Sequence, residues 1–160
     1  MTRVFIDGSA GTTGLRIADR LANRADLQIL TLTGDARKDP QARKEALFES
    51  DIAFLCLPDA AAIEAVALAE GAKVRIIDTS TAHRTHDAWD YGFAELSAAH
   101  RSAIENSARV ANPGCHASGF IAGVCPLVSH GVIPADFPLT AYSLTGYSGG
   151  GKNLIAEYED

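Results

Sequence analysis

A cysteine that follows a turn is the first candidate for chemistry in this sequence. Cys115 stands in the run Asn112-Pro113-Gly114-Cys115-His116, where proline and glycine form a turn and an apolar, helix-like stretch follows. The free N–H groups and positive end of a helix favour the thiolate, which is the better nucleophile. Cys56, in a strand-like run, and Cys125, inside the helix-like stretch, fit the alternative of small buried apolar residues. Cys115 is therefore the predicted nucleophile.

A glycine-rich segment follows the first predicted strand. Gly8, Gly11 and Gly14 recur at every third position, so the second glycine is displaced by one residue from the pattern G-x-G-x-x-G. Small residues let the backbone approach a pyrophosphate, whose charge meets the N-terminus of the following helix. The alternative is a purely structural turn. The position between a strand and an amphipathic helix favours dinucleotide binding.

Strand-like and helix-like segments alternate along the chain, which predicts an α/β fold with a Rossmann-like, doubly wound parallel sheet. Strands are expected at residues 3–6, 27–32, 52–57, 74–77, 109–111 and 139–144. Helices are expected at residues 15–22, 40–48, 59–71, 95–107, 115–131 and from 154 onward. Asp59 is the expected cap of its helix, with Ile63, Val66 and Ala67 on one face. Residues 79–94 form a long loop, which in a compact domain is usually functional.

The same segments predict two domains. Residues 1–112 are expected to form the dinucleotide-binding domain, and residues 113–160 the beginning of an incomplete α/β substrate domain. The last residues have the pattern of a helix that has just begun. We therefore expect the chain to lack the partner that this helix would pack against.

Composition limits the possible functions. The chain has 160 residues and a formal net charge of -6, with no Lys/Arg cluster long enough to follow a phosphate backbone, so nucleic acid is not an expected partner. Three cysteines and the lack of an apolar leader predict neither secretion nor a disulfide framework. Apolar stretches are interrupted well before membrane-spanning length. We expect a soluble, cytoplasmic protein with a small-molecule substrate and no membrane association.

Six segments together resemble the shorter form of the N-acetyl-gamma-glutamyl-phosphate reductases, within the aspartate-semialdehyde dehydrogenase superfamily. The segments are residues 8–14, Leu55-Cys56-Leu57-Pro58-Asp59, Ile77-Asp78-Thr79-Ser80-Thr81-Ala82-His83-Arg84, Tyr91-Gly92-Phe93-Ala94-Glu95-Leu96, Asn112-Pro113-Gly114-Cys115 and residues 143–152. The resemblance runs along the whole chain. It does not cover the whole family protein, which continues with a substrate and dimerisation domain.

The resemblance implies NADPH-dependent reduction of N-acetyl-L-glutamyl 5-phosphate to N-acetyl-L-glutamate 5-semialdehyde in arginine biosynthesis. Cys115 would displace phosphate and form a thioester, and the complete protein would be a homo-oligomer. The family's catalytic histidine is expected beyond residue 160, and His116 is assigned no acid–base role. The alternatives are an enzyme similar to aspartate-semialdehyde dehydrogenase and an inactive dinucleotide-binding fragment.

The resemblance also implies binding residues. Arg84 and Asn112 would bind substrate, since the planar arginine fork can pair with two phosphate oxygens. Residues implied to bind the cofactor are Gly8, Ser9, Ala10, Gly11, Thr12, Thr13, Gly14, Pro58, Ser80, Ser148, Gly149 and Gly150. No metal site is expected. His83 and His86, on the same loop as Arg84, are weaker candidates for substrate contact, and solvent exposure is the preferred interpretation for both.

The choice between cofactors depends on residues 33–38. Asp35 could hold a ribose 2′-hydroxyl, whereas Arg37 and Lys38 could hold a 2′-phosphate. The two basic residues favour NADP. Solvated loop charges are the alternative.

Overall fold

The structure is a computed structural model that describes residues 1–9, 11–146, 149 and 151–159. These residues belong to two compact units, Met1–Gly114 and Cys115–Asp160. The predicted functional division into residues 1–112 and 113–160 stays a prediction.

Within the described part of the first unit, six strands form one parallel sheet. They are β1 (Thr2–Asp7), β2 (Leu27–Leu30), β3 (Ile52–Leu55), β4 (Arg75–Asp78), β5 (Asp90–Tyr91) and β6 (Arg109–Ala111). Their order is β2-β1-β3-β4-β6-β5, and every pair is parallel. The predicted Rossmann-like α/β fold is confirmed. Because β2 and β3 flank β1 on opposite sides, the winding changes direction between β1 and β3, where ligands of such sheets bind.

The strand register brings four chain segments to one edge of the sheet. Asp7 pairs with Leu55, Leu55 with Asp78, and Asp78 with Ala111, so β1, β3, β4 and β6 end in line. The residues that follow these strands therefore lie side by side. This edge carries the glycine loop and the segments after residues 55, 78 and 111.

Helices α1 (Thr12–Leu21), α2 (Pro40–Glu49), α3 (Asp59–Leu68) and α4 (Ala98–Asn106) connect the strands. Right-handed crossovers place α1 on one face of the sheet and the contacting pair α2 and α3 on the other. Local sequence explains two of the helix starts. Asp39 accepts a hydrogen bond from Gln41 N and is followed by proline at the first position of α2, and Ser97 caps α4 through His100 N.

The core of the first unit lies between the central strands and α2 and α3. Phe5, Leu47, Leu55 and Ile76 are fully buried. Because helices cover both faces of a parallel sheet, Val4, Phe5 and Ile6 are all buried in succession. The continuous apolar runs seen in the sequence follow from this arrangement.

Helix α3 differs from its prediction in two respects. Pro58, not Asp59, is its N-cap residue, and the Asp59 carboxylate instead accepts hydrogen bonds from the Thr81 N–H and hydroxyl. Ala62 and Ala65 are buried, whereas Ile63 is 55% exposed. The predicted apolar face was wrong at Ile63 and at Ala67, which is also exposed. Alanines face the core because a helix lined with small side chains can lie close to the sheet.

The loop at residues 79–94 contains more structure than predicted. It includes β5, which pairs with β6, and a short 3₁₀ helix at Ala94–Leu96. The helix expected at residues 95–107 begins only at Ala98, since Ser97 has extended backbone and caps it. Both differences come from residues whose pairing or capping partners are not evident in local periodicity.

The second unit contains α5 (Cys115–Ser129) and α6 (Gly151–Glu159). The strand predicted at residues 139–144 was wrong: these residues have no assigned strand, and Tyr142 and Leu144 are 88% and 82% exposed. A strand needs a neighbour for its backbone hydrogen bonds. Among the described residues of this unit, no strand pairs with the segment.

Candidate functional site

The glycine loop lies very close to the segment that follows β3. Gly8 has φ +85°, and a Cβ built on it would lie 2.2 Å from the carbonyl oxygen of Cys56. A Cβ on Gly14 would lie 2.4 Å from the carbonyl oxygen of Gly8. Glycine is required at both positions because no side-chain atom fits at these distances. Gly11 is less restricted, since its nearest neighbour would be 3.4 Å away.

The N-terminus of α1 opens from this loop. Gly11 is its N-cap residue, and among the described residues no side chain caps the helix. Ser9 is half-buried and Thr13 is exposed. The first-turn N–H groups thus suit an anion such as a pyrophosphate. Of the other predicted cofactor residues, Ala10, Ser148 and Gly150 lie outside the described residues.

A buried ion pair holds the end of β1, and sequence reasoning missed it. Arg43 Nε donates to the Asp7 carboxylate at 3.0 Å, with both side chains buried. Arg43 also donates to Glu64 and to the carbonyl oxygen of Ala61, so it joins β1, α2 and α3. Burial raises the pKa of Asp7, although Arg43 opposes this. The available signal was an arginine in the middle of α2, on the face that carries Ala46 and Leu47.

Hydrogen bonds also fix the start of the loop after β4. Asp78 is fully buried and accepts from Ser80 N at 3.0 Å, Ser80 Oγ at 2.6 Å and His83 Nδ1 at 2.6 Å. The Ser80 hydroxyl also accepts from Ala82 N. The hydrogen bonds of Ser80, which was predicted to bind the cofactor, are therefore formed with its chain neighbours Asp78 and Ala82.

His83 was predicted to face solvent, but the structure buries it. It is 7% exposed, and its ring stacks on Trp89 with centroids 4.2 Å apart. His86 is exposed, in agreement with the prediction. The two histidines differ because the Asp78 carboxylate lies within reach of His83, which sequence spacing does not reveal.

The segment after β3 meets the loop after β4. Thr79 Oγ1 donates to the carbonyl oxygen of Leu55 at 3.0 Å, and Thr81 donates twice to the Asp59 carboxylate. These bonds lower the pKa of Asp59. Burial raises the pKa of the Cys56 thiol to about 11, so Cys56 is a thiol at neutral pH. Pro58, another predicted cofactor residue, lies in this segment.

The structure brings the predicted substrate residues Arg84 and Asn112 together. Arg84 Nε donates to the Asn112 carbonyl oxygen, and Nη2 donates to the Thr79 carbonyl oxygen, each at 3.0 Å. A Cβ on Gly114 would lie 2.7 Å from Arg84 Nη1. Glycine at position 114 therefore provides the room that the guanidinium occupies. Asn112 is also fixed through its own N–H, which donates to the Asp78 carbonyl oxygen at 2.7 Å.

Cys115 is the first residue of α5 and is exposed. It lines a groove of about 860 Å³ in the second unit, and Phe120, Leu144 and Gly149 are among the other lining residues. His116 is hydrogen-bonded to Ser143, across the same groove. The groove is wide enough for a small organic substrate, and the predicted nucleophile lies at its wall.

The described residues contain neither a metal cluster nor a membrane-spanning helix. No group of three or more His, Cys, Asp or Glu side chains in the described ranges could hold a metal ion. None of the described helices is both long and apolar enough to cross a membrane.

A glycine turn at the winding switch of a parallel sheet defines a Rossmann-like dinucleotide-binding domain. The family model for the NAD binding domain of semialdehyde dehydrogenase matches residues 3–106. The chain belongs to this semialdehyde dehydrogenase family.

Named relatives agree with the resemblance seen in the sequence. The chain is 52% identical over 157 residues to an N-acetyl-gamma-glutamyl-phosphate reductase of Chelativorans sp., covering 98% of this chain and 51% of that protein. It is 53% identical over 156 residues to N-acetyl-gamma-glutamyl-phosphate reductase 2 of Pseudomonas putida, covering 98% and 50%. The predicted resemblance is confirmed. The chain spans about half the length of these relatives.

Solved structures share the fold at lower identity. An aspartate semialdehyde dehydrogenase from Francisella tularensis matches with a TM-score of 0.71 and 18% identity, over 98% of this chain and 48% of that one. Aspartate semialdehyde dehydrogenase II from Vibrio cholerae, complexed with ASA, matches with a TM-score of 0.68 and 17% identity, over 98% and 50%. These similarities support the Rossmann-like fold.

Proposed function

We propose that this chain is the cofactor-binding and nucleophile-bearing part of an enzyme that reduces N-acetyl-L-glutamyl 5-phosphate to N-acetyl-L-glutamate 5-semialdehyde with NADPH, in arginine biosynthesis. The observation that carries the proposal is the exposed Cys115 at the first residue of α5, beside a groove of small-molecule size. The names of relatives about half identical to the chain support the choice of substrate. The whole protein is proposed to be a cytoplasmic homo-oligomer.

Cys115 would act as a nucleophile and then as a leaving group. Its thiolate attacks the acyl carbon of the substrate, the C–O bond to phosphate breaks, and a thioester forms. When bound, the reduced nicotinamide supplies a hydride for the thioester carbonyl. The carbon–sulfur bond then breaks, which releases the aldehyde and restores the Cys115 thiolate. Cys115 is the first residue of α5, the end of a helix at which negative charge is favoured.

The glycine loop would hold the pyrophosphate of the cofactor. The contacts of Gly8 and Gly14 keep the loop compact, and the start of α1, which no described side chain caps, supplies N–H donors. The exposed Arg37 and Lys38, shortly after β2, would pair with a 2′-phosphate, which is the basis for proposing NADP. Ser80 would act through the shape of its loop, because its hydroxyl bonds to Asp78 and Ala82.

Arg84 would bind the phosphate of the substrate. Two of its donors hold the carbonyl oxygens of Asn112 and Thr79, which fixes the plane of the guanidinium. The remaining donors of this planar fork suit phosphate oxygens. Asn112 would contribute mainly by holding Arg84 in this orientation.

The test replaces Cys115 with serine in the protein at the length of its relatives. We expect Cys115→Ser to abolish phosphate-dependent oxidation of N-acetyl-glutamate semialdehyde, followed by NADPH absorbance, because a serine hydroxyl is far less ionised than a thiol. Cys125→Ser, inside α5 and outside the groove lining, is the matched control and should retain activity. Undiminished turnover by Cys115→Ser would contradict the proposed mechanism. A preference of the unaltered enzyme for aspartate semialdehyde would instead contradict the proposed substrate.

A further inference from the structure

The loop after β4 contains a buried polar pair that has no direct part in the proposed chemistry. Asp78 has no exposed surface, and His83 donates to its carboxylate through Nδ1 at 2.6 Å. Two donors from Ser80 complete the bonds that the Asp78 side chain accepts among the described residues. A buried carboxylate that loses a donor is costly, so this pairing strongly constrains the position of His83.

A second contact fixes the plane of the His83 ring. It stacks on Trp89 with an angle of 16° between the planes, and Trp89 packs against the hydrophobic core. The Asp78 carboxylate and the Trp89 indole together fix the orientation of the His83 ring. The backbone of His83 is held as well, because its carbonyl oxygen accepts from His86 N at 3.2 Å.

Arg84 is the next residue along the chain. Its guanidinium reaches the carbonyl oxygens of Thr79 and Asn112 only if its backbone starts from the right place. Because a peptide unit is rigid, the anchored backbone of His83 sets that starting point. Gly114 then leaves space for the guanidinium at the far end of the side chain.

We propose that His83, held by the buried carboxylate of Asp78 and by Trp89, is a positioning residue for Arg84. The proposal rests on the proposed function, in which Arg84 binds the substrate phosphate. It adds that the phosphate site depends on a buried histidine that touches neither substrate nor cofactor.

Two substitutions separate the contacts of His83. His83→Phe keeps an aromatic ring for Trp89 and removes the donor to Asp78. His83→Asn keeps an N–H donor near the position of Nδ1 and removes the ring. His86→Asn is the matched control, because His86 lies on the same loop and is exposed.

The first readout is the Arg84 Nε–Hε signal in nitrogen-15 NMR spectra of this chain, assigned by its loss in Arg84→Lys. We expect slow hydrogen exchange in the unaltered chain, because Nε donates to the Asn112 carbonyl oxygen. His83→Phe should speed exchange about tenfold, the factor that corresponds to one weakened hydrogen bond. His83→Asn should lie between His83→Phe and the unaltered chain, and His86→Asn should match the unaltered chain. Unchanged exchange in His83→Phe would overturn the proposal.

The second readout separates this proposal from the proposed function. In the protein at the length of its relatives, His83→Phe should raise the KM for inorganic phosphate about tenfold, with the KM for NADP unchanged. Faster Arg84 exchange with an unchanged phosphate KM would support the positioning role and contradict phosphate binding by Arg84. Far-ultraviolet circular dichroism reports whether each variant folds, because it does not depend on the contact between His83 and Trp89. If phenylalanine prevents folding, His83→Leu replaces it, with the same expected results.

Discussion

At the two outer glycines of the loop after β1, backbone atoms leave no room for a side chain. The neighbours of Gly8 and Gly14 are carbonyl oxygens of the main chain, which cannot rotate away as a flexible side chain would. Gly114 is different, because its nearest neighbour is the end of the Arg84 side chain. A side chain at position 8 or 14 would thus overlap backbone atoms that cannot move, whereas a side chain at position 114 would overlap a guanidinium that can.

The space around a glycine also predicts the effect of an alanine substitution, which should have opposite signs at two glycines that lie within helices. Gly14→Ala should lower the free energy of unfolding by about 1–3 kcal/mol, because the added Cβ overlaps the carbonyl of Gly8. Gly123→Ala, in α5 with no atom within 4 Å of an added Cβ, should raise it by up to about 1 kcal/mol through helix propensity. Urea unfolding followed by circular dichroism measures both. Equal effects of the two substitutions would refute the tight approach at Gly14.

At the scale of elements, the segments after β3, β4 and β6 are joined by side chains at the carboxyl edge of the sheet. Asp59, at the start of α3, holds Thr81, and Arg84 holds Asn112. Each bond links two elements that are adjacent in the sheet and distant in sequence. The long loop after β4 is ordered by its neighbours on both sides.

Removing one of these ties should loosen the loop locally. Asp59→Ala deletes the acceptor of both Thr81 bonds, so the Thr81 amide should exchange hydrogen about tenfold faster, as expected when an amide loses its hydrogen-bond acceptor. Asp87→Ala, at an exposed position of the same loop, is the control. Hydrogen exchange with mass spectrometry gives the rates. If both variants exchange at the unaltered rate, Asp59 does not hold the loop.

The sequence predicted the elements well where the signal was local. Apolar runs identified five of the strands in the described sheet, and the glycine loop was placed correctly after β1. The position of Arg43 on the apolar face of α2 hinted at a buried arginine, but its partner was not predictable, because Asp7 and Arg43 are 36 positions apart and no periodicity relates them. The strand predicted at residues 139–144 is absent for a different reason. The residue pattern suits a sheet, but strand formation also requires a neighbouring strand, which local sequence does not specify.

At the scale of the first unit, one buried arginine joins three elements. Arg43 contacts Asp7 of β1 as well as Ala61 and Glu64 of α3, and its own helix is α2. Because the pair is buried, removing one partner leaves an unpaired charge in the core. Losing one member of the Asp7–Arg43 pair should therefore lower the free energy of unfolding more than losing both.

A double-mutant cycle tests this dependence. Arg43→Met alone should lower the free energy of unfolding by about 3–5 kcal/mol, because Asp7 is left buried and unpaired. Adding Asp7→Leu should recover a large part of the loss. The single variant should also lose stability more steeply as pH rises, because burial already raises the pKa of Asp7 and removing Arg43 raises it further. Urea unfolding at several pH values measures this, and additive effects of the two substitutions would exclude coupling.

The close approach of Gly8 to the residue that follows β3 has a consequence for sequence variation. The atom that restricts Gly8 is the carbonyl oxygen of residue 56, an atom that every amino acid carries. The side chain at position 56 can therefore change without altering the space available to Gly8. We expect a search for co-varying positions to find no partner for this glycine, although a side chain there would overlap the carbonyl oxygen of residue 56. Engineering of the loop should accordingly vary position 56 and keep glycine at position 8.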